Sequence, residues 1–284
     1  MPQVWLITGA ARGLGRAIVE AALQAGDRVL ATARDTSQLT TLLADHSEQL
    51  ATFALDVTDE LQAQQAVAEA LRRFGRLDVL VNNAGYGQIQ PFEHVSSDDF
   101  RAQIETNLFG VVNLTRAAIA PMRTQGYGRI FQVSSAGGRI SSPGLAAYQA
   151  AKWAVGGFSD VVGKELVGFG IQVCTLEPGG IRTDWGQQAR TTLQDLPPDY
   201  QESLGAFKAL IDSYVGNENG DPARIARLLV HLSRSSEQLP ARLLLGSDAW
   251  QYVQAAEQAR SAEAQHWQPL TLAADFGAAE PTEA

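Results

Sequence analysis

Cysteine is nearly absent from the 284-residue sequence: Cys174 stands alone, so no internal disulfide can form. That fits a reducing compartment and excludes a disulfide-stapled scaffold. Histidine is scarce too, and His46, His94, His231 and His266 lie far apart without ligand spacing, so no metal centre is expected. No apolar run approaches the roughly 18 residues of a membrane-spanning helix. Positive charge is in deficit, with 22 Lys and Arg against 31 Asp and Glu and a net charge of -9. An acidic surface argues against nucleic acid or an anionic membrane as partner. Met1-Pro2-Gln3 leads straight into an apolar segment with no basic region before it, so a signal peptide is not expected and the reading is cytoplasmic. With 45% apolar residues the chain can bury a large core. We expect one catalytic domain over residues 1–277, without internal repeats, and a loose tail over 278–284.

What is present alternates between two periodicities. Val4 to Thr8 is a short apolar run that reads as a buried strand. It breaks at Gly9-Ala10-Ala11-Arg12-Gly13-Leu14-Gly15 and becomes helical from Ala17 to Gly26. Strand, glycine turn and helix form the first unit of a dinucleotide-binding fold, in which glycines let a pyrophosphate approach the helix N-terminus. The spacing is Gly-x3-Gly-x-Gly rather than Gly-x-Gly-x-x-Gly, and a simple Gly-rich bend is the competing reading. Arg28 to Asp35 reads as the second strand and its exit, beside the adenosine ribose in such a fold. Arg34 and Arg12 together suit a 2′-phosphate and favour NADP(H). Asp35 binding a free 2′-hydroxyl is the alternative, with both arginines merely solvated.

Leu50 to Leu55 reads as a third strand ending at Asp56-Val57, and Asp59 caps a helix that Gly75 ends. Leu77 to Val81 is a fourth strand running into Asn82-Asn83-Ala84-Gly85. Ser96 to Arg123 is one long helical stretch with Asn107 inside it, where a surface asparagine is an equal reading. Gly128 to Ser135 and Ile171 to Leu176 are further strands, and Cys174 reads as packing within the second of them. After Asp221-Pro222-Ala223 comes another helix, then a last strand over Arg242 to Gly246 and a C-terminal helical extension over about 248–265. The pattern predicts an α/β fold: a Rossmann-type, doubly wound parallel sheet of about seven strands with helices on both faces. Ligands in such sheets bind beyond the strands' carboxyl ends, which puts Gly9, Asp56, Asn83 and Gly85 along one edge.

The chemistry centres on Ser134-Ser135 and on Tyr148-Gln149-Ala150-Ala151-Lys152. Tyr148 and Lys152 are four apart and share a helix face. An ammonium fixed there favours phenolate and is expected to lower the phenol's pKa toward the range of an acid/base catalyst. Taken alone, such a pair recurs by chance on many helices.

These motifs, in this order, resemble the short-chain dehydrogenase/reductase family, in its single-domain, NADP-preferring carbonyl reductase type. The resemblance is carried by residues 8–15, 82–85, Ser135, 148–152 and 178–183, where the last run is Pro178-Gly179-Gly180-Ile181-Arg182-Thr183. It implies a catalytic tetrad of Asn107, Ser135, Tyr148 and Lys152. Tyr148 would exchange the proton, Lys152 would bind the nicotinamide ribose, Ser135 would hold the substrate oxygen, and Asn107 would keep a water beside Lys152. The cofactor would meet Gly9, Arg12, Gly13, Leu14, Gly15, Arg34, Asp56, Val57, Asn83, Ala84, Gly85, Tyr148, Lys152, Pro178, Gly179, Ile181 and Thr183. The departure in glycine spacing is the spacing this family uses.

Substrate choice is expected in a loop over about 184–220, where Trp185, Leu193, Leu196, Tyr200, Phe207 and Tyr214 offer apolar surface. A lid over substrate and packing against the core are equal readings of these side chains. The C-terminal part resembles reductases of bulky carbonyls and lacks the glycine-rich end of tetrameric members, leaving a homodimer as the candidate assembly. The expected function is NADPH-dependent, reversible reduction of an apolar ketone or aldehyde, with a small-molecule carbonyl or alcohol as the only partner besides the cofactor. The alternatives are an NAD(H)-dependent alcohol dehydrogenase of the same family and a non-catalytic NADP(H)-sensing regulator. The complete tetrad speaks against the regulator.

Overall fold

The computed structural model describes residues 2–193 and 196–277; the tail expected over 278–284 lies outside the described residues. Seven parallel strands form one sheet: β1 (Val4–Ile7), β2 (Arg28–Ala33), β3 (Leu50–Ala54), β4 (Val79–Asn82), β5 (Gly128–Val133), β6 (Ile171–Pro178) and β7 (Arg242–Leu245). Their order is β3-β2-β1-β4-β5-β6-β7. The chain winds outward from β1 to β3, then crosses back to lay β4 on the other side of β1. The crevice between the carboxyl ends of β1 and β4 is thus the topological switch point, where open α/β sheets bind ligands.

Side-chain alternation in the strands feeds two cores. In β1, Trp5 and Ile7 face a layer that holds α1 (Gly13–Gln24) and α9 (Pro222–Arg234), with Ile18, Val19, Ile225 and Leu229 buried there. Val4 and Leu6 face the opposite layer of α3 (Glu60–Phe74) and α5 (Gly110–Gln125), with Val67, Phe74, Leu114 and Met122. Cys174 is buried in the first layer as a small apolar residue. Truncating one large side chain of these layers to alanine costs about 2–5 kcal/mol.

Local chemistry sets the helix ends. Asp59 accepts the Gln62 N–H at 3.0 Å to cap α3, and Gly75, at φ +81°, ends it in a left-handed conformation. Asp221 caps α9, whose first residue is Pro222.

The helical stretch expected from Ser96 to Arg123 is helical throughout but changes its winding within. Helix α4 (Ser97–Ile104) passes through one π-helical turn, Glu105–Phe109, before α5 begins. A π turn inserts a residue into the helix, and Asn107 within this one is completely buried, which decides against the surface reading of it. The remaining helices are α2 (Thr40–Asp45), α6 (Ala146–Leu166), α7 (Asp184–Ala189), α8 (Gln201–Tyr214), α10 (Ser247–His266) and α11 (Gln268–Leu272). Among the described residues, no helix is long and apolar enough to cross a membrane.

Candidate active site

The glycine turn sits on the switch point, held by polar side chains of β1 and the chain after β4. The Asn83 amide nitrogen donates to the Thr8 carbonyl at 2.9 Å and to the Gly9 carbonyl at 3.2 Å. The Thr8 hydroxyl in turn accepts the backbone N–H groups of Asn83 at 2.9 Å and Ala84 at 3.0 Å. The Asn83 side chain therefore braces the glycine turn. Gly15 is obligatory, because a Cβ there would strike the Gly9 carbonyl and stand 2.6 Å from the Asn83 amide nitrogen.

Helix α1 starts at Arg12 with no side-chain cap and no acidic residue in its first turn. Its first N–H groups and the positive end of its dipole are left for an anion, as a pyrophosphate needs. Thr183 lies across from this turn, its side chain 3.5 Å from where a Cβ on Gly13 would be. These features fit a dinucleotide on the residues expected to hold one.

At the far side of the crevice, α6 delivers Tyr148 and Lys152, both buried. Ser135 stands beside the Tyr148 phenol, near enough to lower its pKa, and its hydroxyl accepts the Gly137 N–H at 2.9 Å. Lys152 donates to the Val133 carbonyl at 2.8 Å, with its nitrogen 5.6 Å from the Tyr148 ring centre. Asn107 donates to the Tyr86 and Gln103 carbonyls, both at 2.8 Å, and its carbonyl oxygen is buried without a partner. The expected tetrad is thus gathered in one place.

The electrostatics correct one expectation. Burial pushes the Tyr148 phenol up to about 12, opposed by the neighbouring Ser135 hydroxyl. Burial also pulls the Lys152 ammonium down to about 8. In place of the expected acidified phenol, burial holds Tyr148 above its ordinary value, and Lys152 donates to the Val133 carbonyl.

The short chain dehydrogenase family profile matches residues 3–194. The chain belongs to the short-chain dehydrogenase family. An oxidoreductase of Botryotinia fuckeliana, BOA17, is 47% identical over 274 residues, covering 96% of this chain and 99% of that protein. A crystal structure of a short-chain dehydrogenase from Streptomyces avermitilis superposes with a TM-score of 0.87 at 37% identity, covering 97% of this chain and 100% of that one. An alcohol dehydrogenase from Thermococcus sibiricus, complexed with 5-hydroxy-NADP, superposes with a TM-score of 0.70 at 25% identity, covering 86% and 96%. This short-chain dehydrogenase is accordingly an oxidoreductase with the fold its sequence predicts.

The other expected cofactor contacts spread along the same edge. Arg34 is exposed at the exit of β2 and has no hydrogen-bond or ion-pair partner among the described residues. Asp35 turns its carboxylate back to the Ser37 N–H at 2.9 Å, which holds its pKa below the usual range. Arg12 reaches over to α7 and donates to Gln188 at 2.6 Å. Asp56 accepts from Thr58, and buried Val57 packs where any side chain at Gly110 would collide. Pro178 ends β6, Gly179 donates its N–H to Leu245 at 3.0 Å, and Ile181 bridges to Gly220. The Leu14 side chain is buried in the core at the start of α1.

Three features of the site were not read in the sequence. A Cβ on Gly87 would stand 3.1 Å from the Tyr148 ring and 3.0 Å from Trp185, so a side chain there would press on both rings. Gly138 backs onto the Lys152 carbonyl, with 2.8 Å to a Cβ built there. The glycines in Gly85-Tyr86-Gly87 and Ala136-Gly137-Gly138 were the available signal. The link of Arg12 to Gln188 had none, being formed across 176 residues.

Over Tyr148 lies a small separate apolar cluster of Ile89, Leu145, Ala189, Leu193 and Leu204, joined by Leu196, Tyr200, Phe207 and Ile211. Trp185 packs its ring 5.2 Å from that of Tyr148, tilted by 50°. Tyr214 takes no part in this cluster. Among the described residues, no group of His, Cys, Asp and Glu is arranged to hold a metal.

Proposed function

We propose that this protein is an NADPH-dependent carbonyl reductase that reversibly converts an apolar ketone or aldehyde to an alcohol. The observation that carries the reading is the buried Tyr148 phenol, with Ser135 beside it, Lys152 one turn along α6 and the apolar cluster of Ile89, Leu145, Ala189, Leu193 and Leu204 around it. A bound nicotinamide supplies the hydride. Ser135 and Tyr148 aim hydrogen bonds at the carbonyl oxygen, which binds the transition state better than the ground state as charge grows there. Tyr148 then yields its proton to that oxygen. Lys152 holds the ribose, and the unpaired Asn107 oxygen supports a water between it and Lys152. Residues 184–220 serve as the lid and exclude solvent.

The preference for NADP(H) is supported by the unpaired Arg34 guanidinium, by the Asp35 carboxylate turned back on Ser37, and by the NADP analogue in the Thermococcus sibiricus relative. Residues 1–277 act as one catalytic unit, and a cytoplasmic setting suits the buried free thiol of Cys174 and the pyridine nucleotide.

A panel of apolar ketones with NADPH, followed by nicotinamide absorbance, tests the reading. Turnover is expected in the wild type and a loss of about 10²–10⁴-fold in Tyr148→Phe, with NADPH binding retained. Equal turnover in that variant would overturn the assignment of Tyr148.

A further inference from the structure

We infer that Tyr214 is a positioning residue: through Asp248 it pins the carboxyl end of α8 to the Gly179-Gly180 turn and so holds residues 201–220 in place. This rests on the reading of 184–220 as a substrate lid.

Asp248 sits in the first turn of α10, where the helix dipole favours its charge, yet it is buried. One carboxylate oxygen accepts the Gly180 N–H at 2.9 Å and also the Tyr214 hydroxyl. The other oxygen is buried with no partner. The contact leaves no room for side chains: a Cβ on Gly179 would strike both carboxylate oxygens, and one on Gly180 would strike the Tyr214 hydroxyl. Burial and the neighbouring carboxylate raise the pKa of Tyr214, so its hydroxyl remains a donor. Hydrogen bonds to an ionised acceptor are about twice as strong as neutral ones.

The chain leaving α8 is stitched to the same turn. Glu218 is buried; its carboxylate accepts the Gly216 N–H at 2.9 Å and its carbonyl accepts from Arg182 at 3.1 Å. The Gly220 carbonyl accepts the Arg182 N–H, and the Gly220 N–H donates to the Gly180 carbonyl, both at 2.9 Å. The other end of 184–220 is held too: the Ala189 carbonyl accepts the Ile89 N–H at 3.2 Å, the Thr192 hydroxyl donates to the Ile89 carbonyl at 3.0 Å, and exposed Arg12 donates to exposed Gln188 at 2.6 Å. Tyr214 is the group that fixes the carboxyl end of α8.

The test compares the full-length wild type with Tyr214→Phe and Asp248→Ala. In the ligand-free protein, Tyr214→Phe is expected to speed amide hydrogen exchange at least about tenfold over residues 201–220 while leaving 178–183 unchanged, because Asp248 still holds Gly180. Asp248→Ala is expected to speed both segments and to weaken NADPH binding about tenfold, read by nucleotide fluorescence. With a ketone that turns over, Tyr214→Phe should raise KM about tenfold with kcat within about threefold. If Asp248→Ala does not accumulate as folded protein, Asp248→Asn, which keeps one acceptor, takes its place, with faster exchange over 201–220 expected. Wild-type exchange over 201–220 in Tyr214→Phe, or an unchanged KM, overturns the inference. The exchange measurement needs no substrate, so it stands even if no ketone is reduced. A wild type that reduces ketones while Tyr214→Phe exchanges normally would overturn the pinned lid and leave the reductase reading intact.

Discussion

Asn107 and Lys152 converge on the space beside Gly85: a Cβ placed there would lie 2.6 Å from the Asn107 carbonyl oxygen and 3.5 Å from the Lys152 nitrogen. The two side chains come from different helices, and only a glycine keeps the gap between them open. Gly85→Ala is therefore expected to push Asn107 away from Lys152 and lower kcat at least about tenfold, while circular dichroism stays native. A variant with wild-type kcat would remove Asn107 from the proton path.

Arg34→Asp should invert the cofactor preference. An aspartate at the exit of β2 can accept from a ribose 2′-hydroxyl and repels a 2′-phosphate. Isothermal titration is expected to show NADPH affinity falling about 10–100-fold while NADH affinity holds or rises, given the strength of charge-assisted contacts to phosphate. Unequal affinities that do not move in the variant would discharge Arg34 from cofactor choice.

Lys152 makes stability depend on pH in a defined direction. Its folded pKa, about 8, lies below its ordinary value of 10.5, so the unfolded chain binds more protons between those limits. Stability from this group therefore rises with pH through that window and is at its lowest below pH 8. Lys152→Met removes the buried charge along with its bond to Val133. The variant is expected to be more stable than the ligand-free wild type at pH 7 by an amount on the order of 2 kcal/mol, with the gap narrowing toward pH 10. Denaturant titrations of both proteins across that range measure it. Comparing the two proteins cancels the opposing effect of Cys174, whose raised pKa acts over the same range. A gap that widens with pH would contradict the assignment.

Trp185→Ala should change which ketones are accepted. The indole covers the Tyr148 ring and is partly open to solvent, so its removal costs little stability but widens the space above the phenol. KM for small ketones is expected to rise about 10-fold, the loss of one apolar aromatic contact, with bulkier ketones affected less. Parallel changes for both sizes would place Trp185 outside the substrate space.

Much of this was legible because it was local. Strand periods, the glycine turn, the Asp59 cap and the pairing of Tyr148 with Lys152 each depend on residues within a turn or two of one another. The burial of Asn107 was not legible, because it lies within a π turn, and π turns have no reliable spacing signature. The acidified phenol was misread for a related reason. Residue spacing shows that an ammonium is near, whereas desolvation depends on side chains far apart in sequence, such as Ile89 and Leu193, that pack with Tyr148. Asp248 was equally hidden, since its partners Tyr214 and Gly180 stand 34 and 68 residues away. Asn83 was placed at the right edge, but the duty of its side chain as a brace for the glycine turn was not read.

That brace has a consequence for how the chain could be divided. The nucleotide turn belongs to the first strand-helix unit, but the amide that shapes it arrives 75 residues later. A fragment ending ahead of β4 would keep every glycine of the fingerprint and still possess no cradle. Nucleotide affinity can emerge only once the two central strands have docked, which makes it a reporter of the assembled sheet and not of its opening motif.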